Sequence, residues 1–84
     1  MNSKAKILLV DDDHIFRLGC KRLLENDGFS VIEAQDGTEG FIKAKNHRPD
    51  IAFIDYRMPG LDGLDLLQQL KSEALDIDVV MITG

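Results

Sequence analysis

The hydrophobic and polar residues of the chain follow two patterns, one typical of strands and the other typical of amphipathic helices. Predominantly apolar runs, typical of strands buried on both faces, lie within residues 6–10 (KILLV) and 50–55 (DIAFID). Residues 29–34 and 76–83 also have the pattern expected of strands. The pattern therefore predicts four strands, separated by segments long enough to form helices.

The segment after the first run has helical periodicity. Its small and apolar residues recur at i, i+3, i+4, i+7 and i+8, which predicts one stripe of an amphipathic helix. That stripe consists of Phe16, Gly19, Cys20, Leu23 and Leu24. Gly28 follows and is the predicted C-terminal cap.

Two further helices are predicted from their capping residues. Asp36 and Glu39 have capping-box spacing before a short helix that ends near Asn46. Asp62 is the predicted cap of a helix that runs through Lys71. The residues expected to face inward are Gly40, Phe41, Ala44, Leu66, Leu67 and Leu70. The order β-α-β-α-β-α-β predicts a single α/β domain with parallel strands and helices on both faces.

Composition narrows the possible partners and location. The net charge of −5 over 84 residues argues against direct nucleic-acid binding and suits a cation or a basic surface. A single cysteine, Cys20, excludes an internal disulfide and fits a reducing compartment. The polar N-terminus leads into an apolar run too short for a signal peptide or membrane span. We therefore expect a cytoplasmic protein without a membrane association.

Carboxylates follow two of the predicted strands. Asp11, Asp12 and Asp13 come after the first strand, and Asp55 ends the third. If these strands are neighbours, Asp11, Asp12 and Asp55 converge at the carboxyl edge of the sheet, where α/β proteins bind ligands. A divalent cation would relieve their repulsion, and oxygen ligands favour Mg²⁺ or Mn²⁺. A carboxylate can also act as a nucleophile and form an aspartyl phosphate.

Three motifs in this order resemble the receiver domain of two-component response regulators, of the chemotaxis-receiver type. They are "ILLVDDDH", "DYRMPGLDGL" and "MITG", and the resemblance extends from Lys6 to Gly84. It implies a flavodoxin-like open parallel sheet with strand order 2-1-3-4. It also implies a signalling switch rather than an enzyme in the usual sense, which receives a phosphoryl group from a histidine kinase or phosphotransfer protein.

The resemblance assigns roles to individual positions. Asp55 matches the phosphoacceptor, and Asp11 and Asp12 match the acidic pair that holds Mg²⁺ with it, mainly through the second residue. Arg57 would contribute its backbone carbonyl to the metal. Thr83 matches the hydroxyl residue that contacts the phosphoryl group and shifts on activation.

The chain departs from the family pattern after Gly84, where a complete receiver continues through a helix, a fifth strand and a final helix. Residues 1–84 are therefore expected to be the N-terminal part of a receiver domain. The fifth-strand lysine would be missing, which predicts impaired phosphoryl transfer. The fourth strand would become a sheet edge, and the apolar stripe of the first helix would be partly exposed. These features predict self-association through that strand and that helix.

Two alternatives to a competent receiver remain open from the sequence. One is a self-associating fragment with a metal pocket but no phospho-switching. The other is a phosphatase or mutase of the haloacid-dehalogenase class, which also uses a strand-end aspartate. That class expects a second aspartate two residues later, and Arg57 occupies this position; we rank it last.

Overall fold

Strands and helices alternate in the computed structural model, which describes residues 4–56, 58 and 62–82. The elements are β1 (Lys6–Val10), α1 (His14–Asn26), β2 (Ser30–Ala34), α2 (Gly37–His47), β3 (Ile51–Asp55), α3 (Gly63–Ser72) and β4 (Asp78–Ile82). The predicted order is confirmed, with described boundaries that differ by no more than about two residues from those expected.

The four strands form one parallel sheet in the order β2-β1-β3-β4. The α/β, flavodoxin-like class and the order 2-1-3-4 are both confirmed. Val10 lies opposite Ala34 on one side and Ile54 on the other. The residues that follow β1 and β3 therefore meet at the same edge of the sheet, as predicted.

The main core lies between the sheet and the helices α2 and α3. Leu66 and Leu70 of α3 are buried there, as are Gly40 and Ala44 of α2, whereas Phe41 and Leu67 are half-buried. These helices pack on the strand residues Leu8, Val10, Ala34, Ala52 and Ile54. Residues at the helical period thus meet alternate residues of the strands, which excludes water from this face.

Helix α1 lies against the opposite face and covers only part of it. None of its residues is fully buried, and Leu23 is 72% exposed. The partial exposure predicted for its apolar stripe is confirmed. A groove of about 330 Å³ remains beside α1, lined by Leu9, Cys20, Leu23, Leu24, Phe53, Val80 and Ile82.

The helix ends follow the predicted capping chemistry, with one difference. Gly28 has φ +96°, and the bonds from Gly28 N to Glu25 O and from Phe29 N to Leu24 O complete a Schellman motif. At α2, Asp36 accepts from Glu39 N at 2.8 Å, but the Glu39 side chain accepts from Gln35 N instead of the cap's own N–H. The second hydrogen bond of the capping box therefore comes from the N–H of Gln35, the residue before the cap, instead of from Asp36.

Candidate functional site

Three carboxylates from two neighbouring strands meet at the carboxyl edge of the sheet. Asp11 and Asp12 follow β1, and Asp55 ends β3. Each offers one carboxylate oxygen, and these oxygens lie within 4.8 Å of one another. The predicted convergence is confirmed, and the all-oxygen donor set fits a hard divalent cation.

Asp11 is the most firmly held of the three acids. Its residue is only 6% exposed. Its Oδ1 accepts from Asp13 N at 2.8 Å, and its own N–H donates to Ala34 O at 3.1 Å. Its carbonyl oxygen accepts from Arg17 Nη1 at 2.6 Å. Both the backbone and the carboxylate of Asp11 are therefore fixed before any ligand arrives.

The pKa of Asp11 is raised above its ordinary value, chiefly because burial disfavours the charged carboxylate. The hydrogen bond from the Asp13 backbone opposes this shift, and the negative charges of Asp55, Asp12 and Asp13 add to it. A cation placed among these oxygens would offset the repulsion between their negative charges. Protons compete with the metal for the Asp11 carboxylate, so the metal affinity should decrease as the pH is lowered toward the Asp11 pKa.

Asp13 has a different role from its two neighbours. Its Oδ1 accepts from Ile15 N at 3.0 Å and from Phe16 N at 3.1 Å, which makes it the N-cap of α1. This capping role of Asp13 was not predicted from the sequence. Its position just before the apolar stripe was the available signal.

Arg17 was also absent from the sequence-based site. From α1 it donates through Nε to Glu33 Oε1 of β2 at 3.1 Å, in addition to the Asp11 carbonyl. Lys21 Nζ approaches the other oxygen of Glu33 at 3.5 Å. No spacing in the sequence identifies this link, because its partners are distant in the chain and meet only when β1 and β2 pair.

Gly63 brings α3 close to the end of β3. Its N–H lies 3.4 Å from the Tyr56 carbonyl oxygen. A Cβ at this position would collide with the Asp55 carbonyl oxygen and lie 2.8 Å from Met81 Cε. Only glycine permits this approach without displacing the backbone that carries Asp55.

Replacement of Gly63 by alanine is therefore expected to destabilise the fold by about 2 kcal/mol, because the new methyl group overpacks against the backbone. Urea denaturation followed by circular dichroism measures the change. Gly19→Ala is the matched control, since a Cβ at that helical position meets nothing within 4 Å. It should stabilise α1 by roughly 0.5–1 kcal/mol. Equal effects of the two substitutions would contradict the close approach at Gly63.

Two of the predicted site residues cannot be placed. Arg57, proposed for its backbone carbonyl, and Thr83, proposed for its hydroxyl, lie outside the described residues. Among the residues described, no helix has the length and apolar character needed to cross a membrane.

Comparison with known proteins gives one consistent result. The family model described as "Response regulator receiver domain" matches residues 7–84. Response regulator MprA of a Mycobacterium species (strain KMS) is 42% identical over 80 residues, covering 95% of this chain and 35% of that protein. The nitrate/nitrite response regulator protein homolog of Haemophilus influenzae is 40% identical over 85 residues, covering 99% of this chain and 41% of that protein.

Solved structures agree with the sequence matches. The crystal structure of a response regulator receiver domain protein from Clostridium thermocellum superposes with a TM-score of 0.90 at 35% identity. The match covers 96% of this chain and 66% of that one. The chain thus spans well under half the length of the two curated relatives and about two thirds of this solved structure.

Proposed function

The chain belongs to the response regulator receiver domains, and from this premise we propose that Asp55 accepts a phosphoryl group from a phosphohistidine. The donor would be a histidine kinase or a phosphotransfer protein, the partners with which receiver domains in general interact. Receiver domains are signalling modules. The observation that carries the proposal is the approach of Asp11, Asp12 and Asp55 within 4.8 Å at the edge of the sheet.

The chemistry follows from the position of Asp55. One of its carboxylate oxygens attacks phosphorus, the phosphorus–nitrogen bond to the donor histidine breaks, and that electron pair leaves with the imidazole. Asp55 ends β3 and is partly exposed, so a donor can reach it from the loop edge of the sheet.

Receiver domains bind Mg²⁺ through acidic residues, and the donor set of this chain fits that ion. Asp11, Asp12 and Asp55 would hold it, with the backbone carbonyl of Arg57 as a further ligand; Mn²⁺ would fit the same oxygens. When bound, the cation offsets the negative charge of the carboxylates and the phosphoryl oxygens. We propose that the Thr83 hydroxyl contacts the phosphoryl group. The cytoplasmic location expected from the sequence stays a prediction.

The test is phosphorylation by a small donor. Incubated with acetyl phosphate and Mg²⁺, the chain is expected to gain the mass of one phosphoryl group, as measured by intact mass spectrometry. Asp55→Ala should gain none, because the attacking oxygen is gone. Asp76→Ala removes an exposed carboxylate before β4 and should react like the unaltered chain.

Two outcomes would contradict the assignment: an unchanged adduct in Asp55→Ala, or no adduct in the unaltered chain at high donor and Mg²⁺ concentration.

We also infer that two copies of this chain associate, beside its role as phosphoacceptor. Within the described residues, β4 pairs with β3 alone, so its other side offers backbone groups to another strand. Val80 and Ile82 of β4 also line the apolar groove beside α1. A second copy presents the same edge and the same groove, so one two-fold axis can pair β4 with β4 and cover both grooves.

A further inference from the structure

Arg17 joins helix α1 to both β1 and β2 at the acidic site. Its side chain is only 11% exposed. Nη1 donates to the Asp11 carbonyl oxygen at 2.6 Å, and Nε donates to Glu33 Oε1 at 3.1 Å. Glu33 of β2 pairs with Leu9 of β1, and Leu9 lies two residues before Asp11. The guanidinium therefore bonds to Glu33 on β2 and, at the same time, to the carbonyl oxygen of Asp11, the residue that follows β1.

The bond to the Asp11 carbonyl has a consequence for two of the three carboxylates. That oxygen belongs to the planar peptide unit that joins Asp11 to Asp12. Holding this plane restricts ψ of Asp11 and φ of Asp12, two of the dihedrals that set where the side chains of these residues leave the backbone. The hydrogen bond from Arg17 therefore helps to orient both acids that converge on Asp55.

We propose that Arg17 is a positioning residue for the divalent-cation site, an inference that rests on the Mg²⁺ site proposed above. Its rigid fork serves the role better than lysine, because it can donate to Glu33 and to the Asp11 carbonyl at the same time. Groups that orient metal ligands without touching the metal typically change affinity by about 10-fold or more when removed.

The sign of the effect separates positioning from charge. Arg17 is a cation beside a site for a cation, so its electrostatic contribution opposes Mg²⁺ binding. If charge alone mattered, removing Arg17 would strengthen binding. If the peptide plane matters, removing Arg17 weakens binding although a positive charge has been lost.

Lys21 provides the matched control for Arg17. It lies on the same helix, carries the same charge and pairs with the same glutamate, with Nζ at 3.5 Å from Glu33 Oε2. Its position lies one helical turn further from Asp11. Lys21→Met therefore removes a cation and a Glu33 contact while leaving the Asp11 bond in place.

The experiment is a Mg²⁺ titration of the ¹⁵N-labelled chain, with dissociation constants read from amide chemical shifts. Arg17→Met is expected to bind about 10-fold more weakly, whereas Lys21→Met should stay within about twofold of the unaltered chain or bind slightly tighter. Arg17→Lys, whose single nitrogen serves one acceptor at a time, should fall between Arg17→Met and the unaltered chain. The same spectra show whether each variant is folded. If Arg17→Met does not fold, the affinity of Arg17→Lys tests the positioning role instead.

The outcomes distinguish this inference from the function on which it rests. Weaker binding by the Arg17 variants with Lys21→Met unaffected supports the positioning role. Unchanged or tighter binding by the Arg17 variants overturns that role and leaves the metal site intact. No Mg²⁺ response in the unaltered chain overturns the metal site and the role of Arg17 together.

Discussion

Replacement of Asp12 by alanine is expected to lower the Mg²⁺ affinity of the chain by about 100-fold, equivalent to about 2.7 kcal/mol. Asp12 is exposed, whereas Asp11 is buried and already accepts a hydrogen bond through Oδ1. Asp12 is therefore the acid of the pair that can turn an oxygen fully toward a hydrated ion. Loss of one charged ligand from three removes a large part of the attraction for Mg²⁺. A Mg²⁺ titration followed by amide chemical shifts measures the change.

Asp13→Ala is the control that isolates ligation from net charge. It removes the same charge from the neighbouring residue, but Asp13 caps α1 through Ile15 and Phe16. We expect this variant to lose about 1 kcal/mol of folding stability with little change in Mg²⁺ affinity. If both variants lost affinity equally, the effect would be one of general charge, and the specific role of Asp12 would be wrong.

We expect phosphorylation of Asp55 to require the same proposed metal. Chelation of Mg²⁺ before addition of acetyl phosphate should abolish the Asp55 adduct, because no cation would then offset the repulsion between the phosphoryl oxygens and the negative carboxylates. Asp12→Ala should behave in the same way at millimolar Mg²⁺. Both results are read in the mass-spectrometric assay that tests Asp55.

The sequence was sufficient to predict the acidic cluster because its members lie at the ends of recognisable strands. Apolar runs that end in carboxylates define both the strand and the edge at which it stops, and parallel pairing brings those ends together. Asp11, Asp12 and Asp55 needed no further information once β1 and β3 were taken as neighbours. Gly28 was predictable as a cap for a different reason, because it is the first glycine after the apolar stripe of α1 ends at Leu24 and glycine is common just past a helix end.

The sequence was insufficient where a contact joins residues with no regular spacing. Arg17 reaches Glu33 across sixteen positions and the Asp11 carbonyl across six. A bond to a backbone carbonyl also leaves no complementary side chain to recognise. Asp13 was missed for another reason, because three consecutive acids look alike until the helix start separates the cap from the ligands.

Val80→Lys is expected to weaken association of two copies by about 2 kcal/mol, roughly a 30-fold increase in dissociation constant. Val80 is 44% exposed, lies in the middle of β4 and lines the groove beside α1. A charged side chain there would be desolvated in any interface that covers the groove, and lysine on an edge strand discourages strand pairing. Sedimentation velocity over a concentration series measures the change.

Ile42→Lys tests whether any exposed apolar residue would have the same effect. Ile42 is 52% exposed but lies on α2, which packs against the opposite face of the sheet. It should leave the association unchanged, because neither β4 nor the groove is altered. If Ile42→Lys weakened association as much as Val80→Lys, general surface hydrophobicity would be responsible. If the unaltered chain sedimented as a compact monomer at every concentration, the second copy would not be the occupant of the groove.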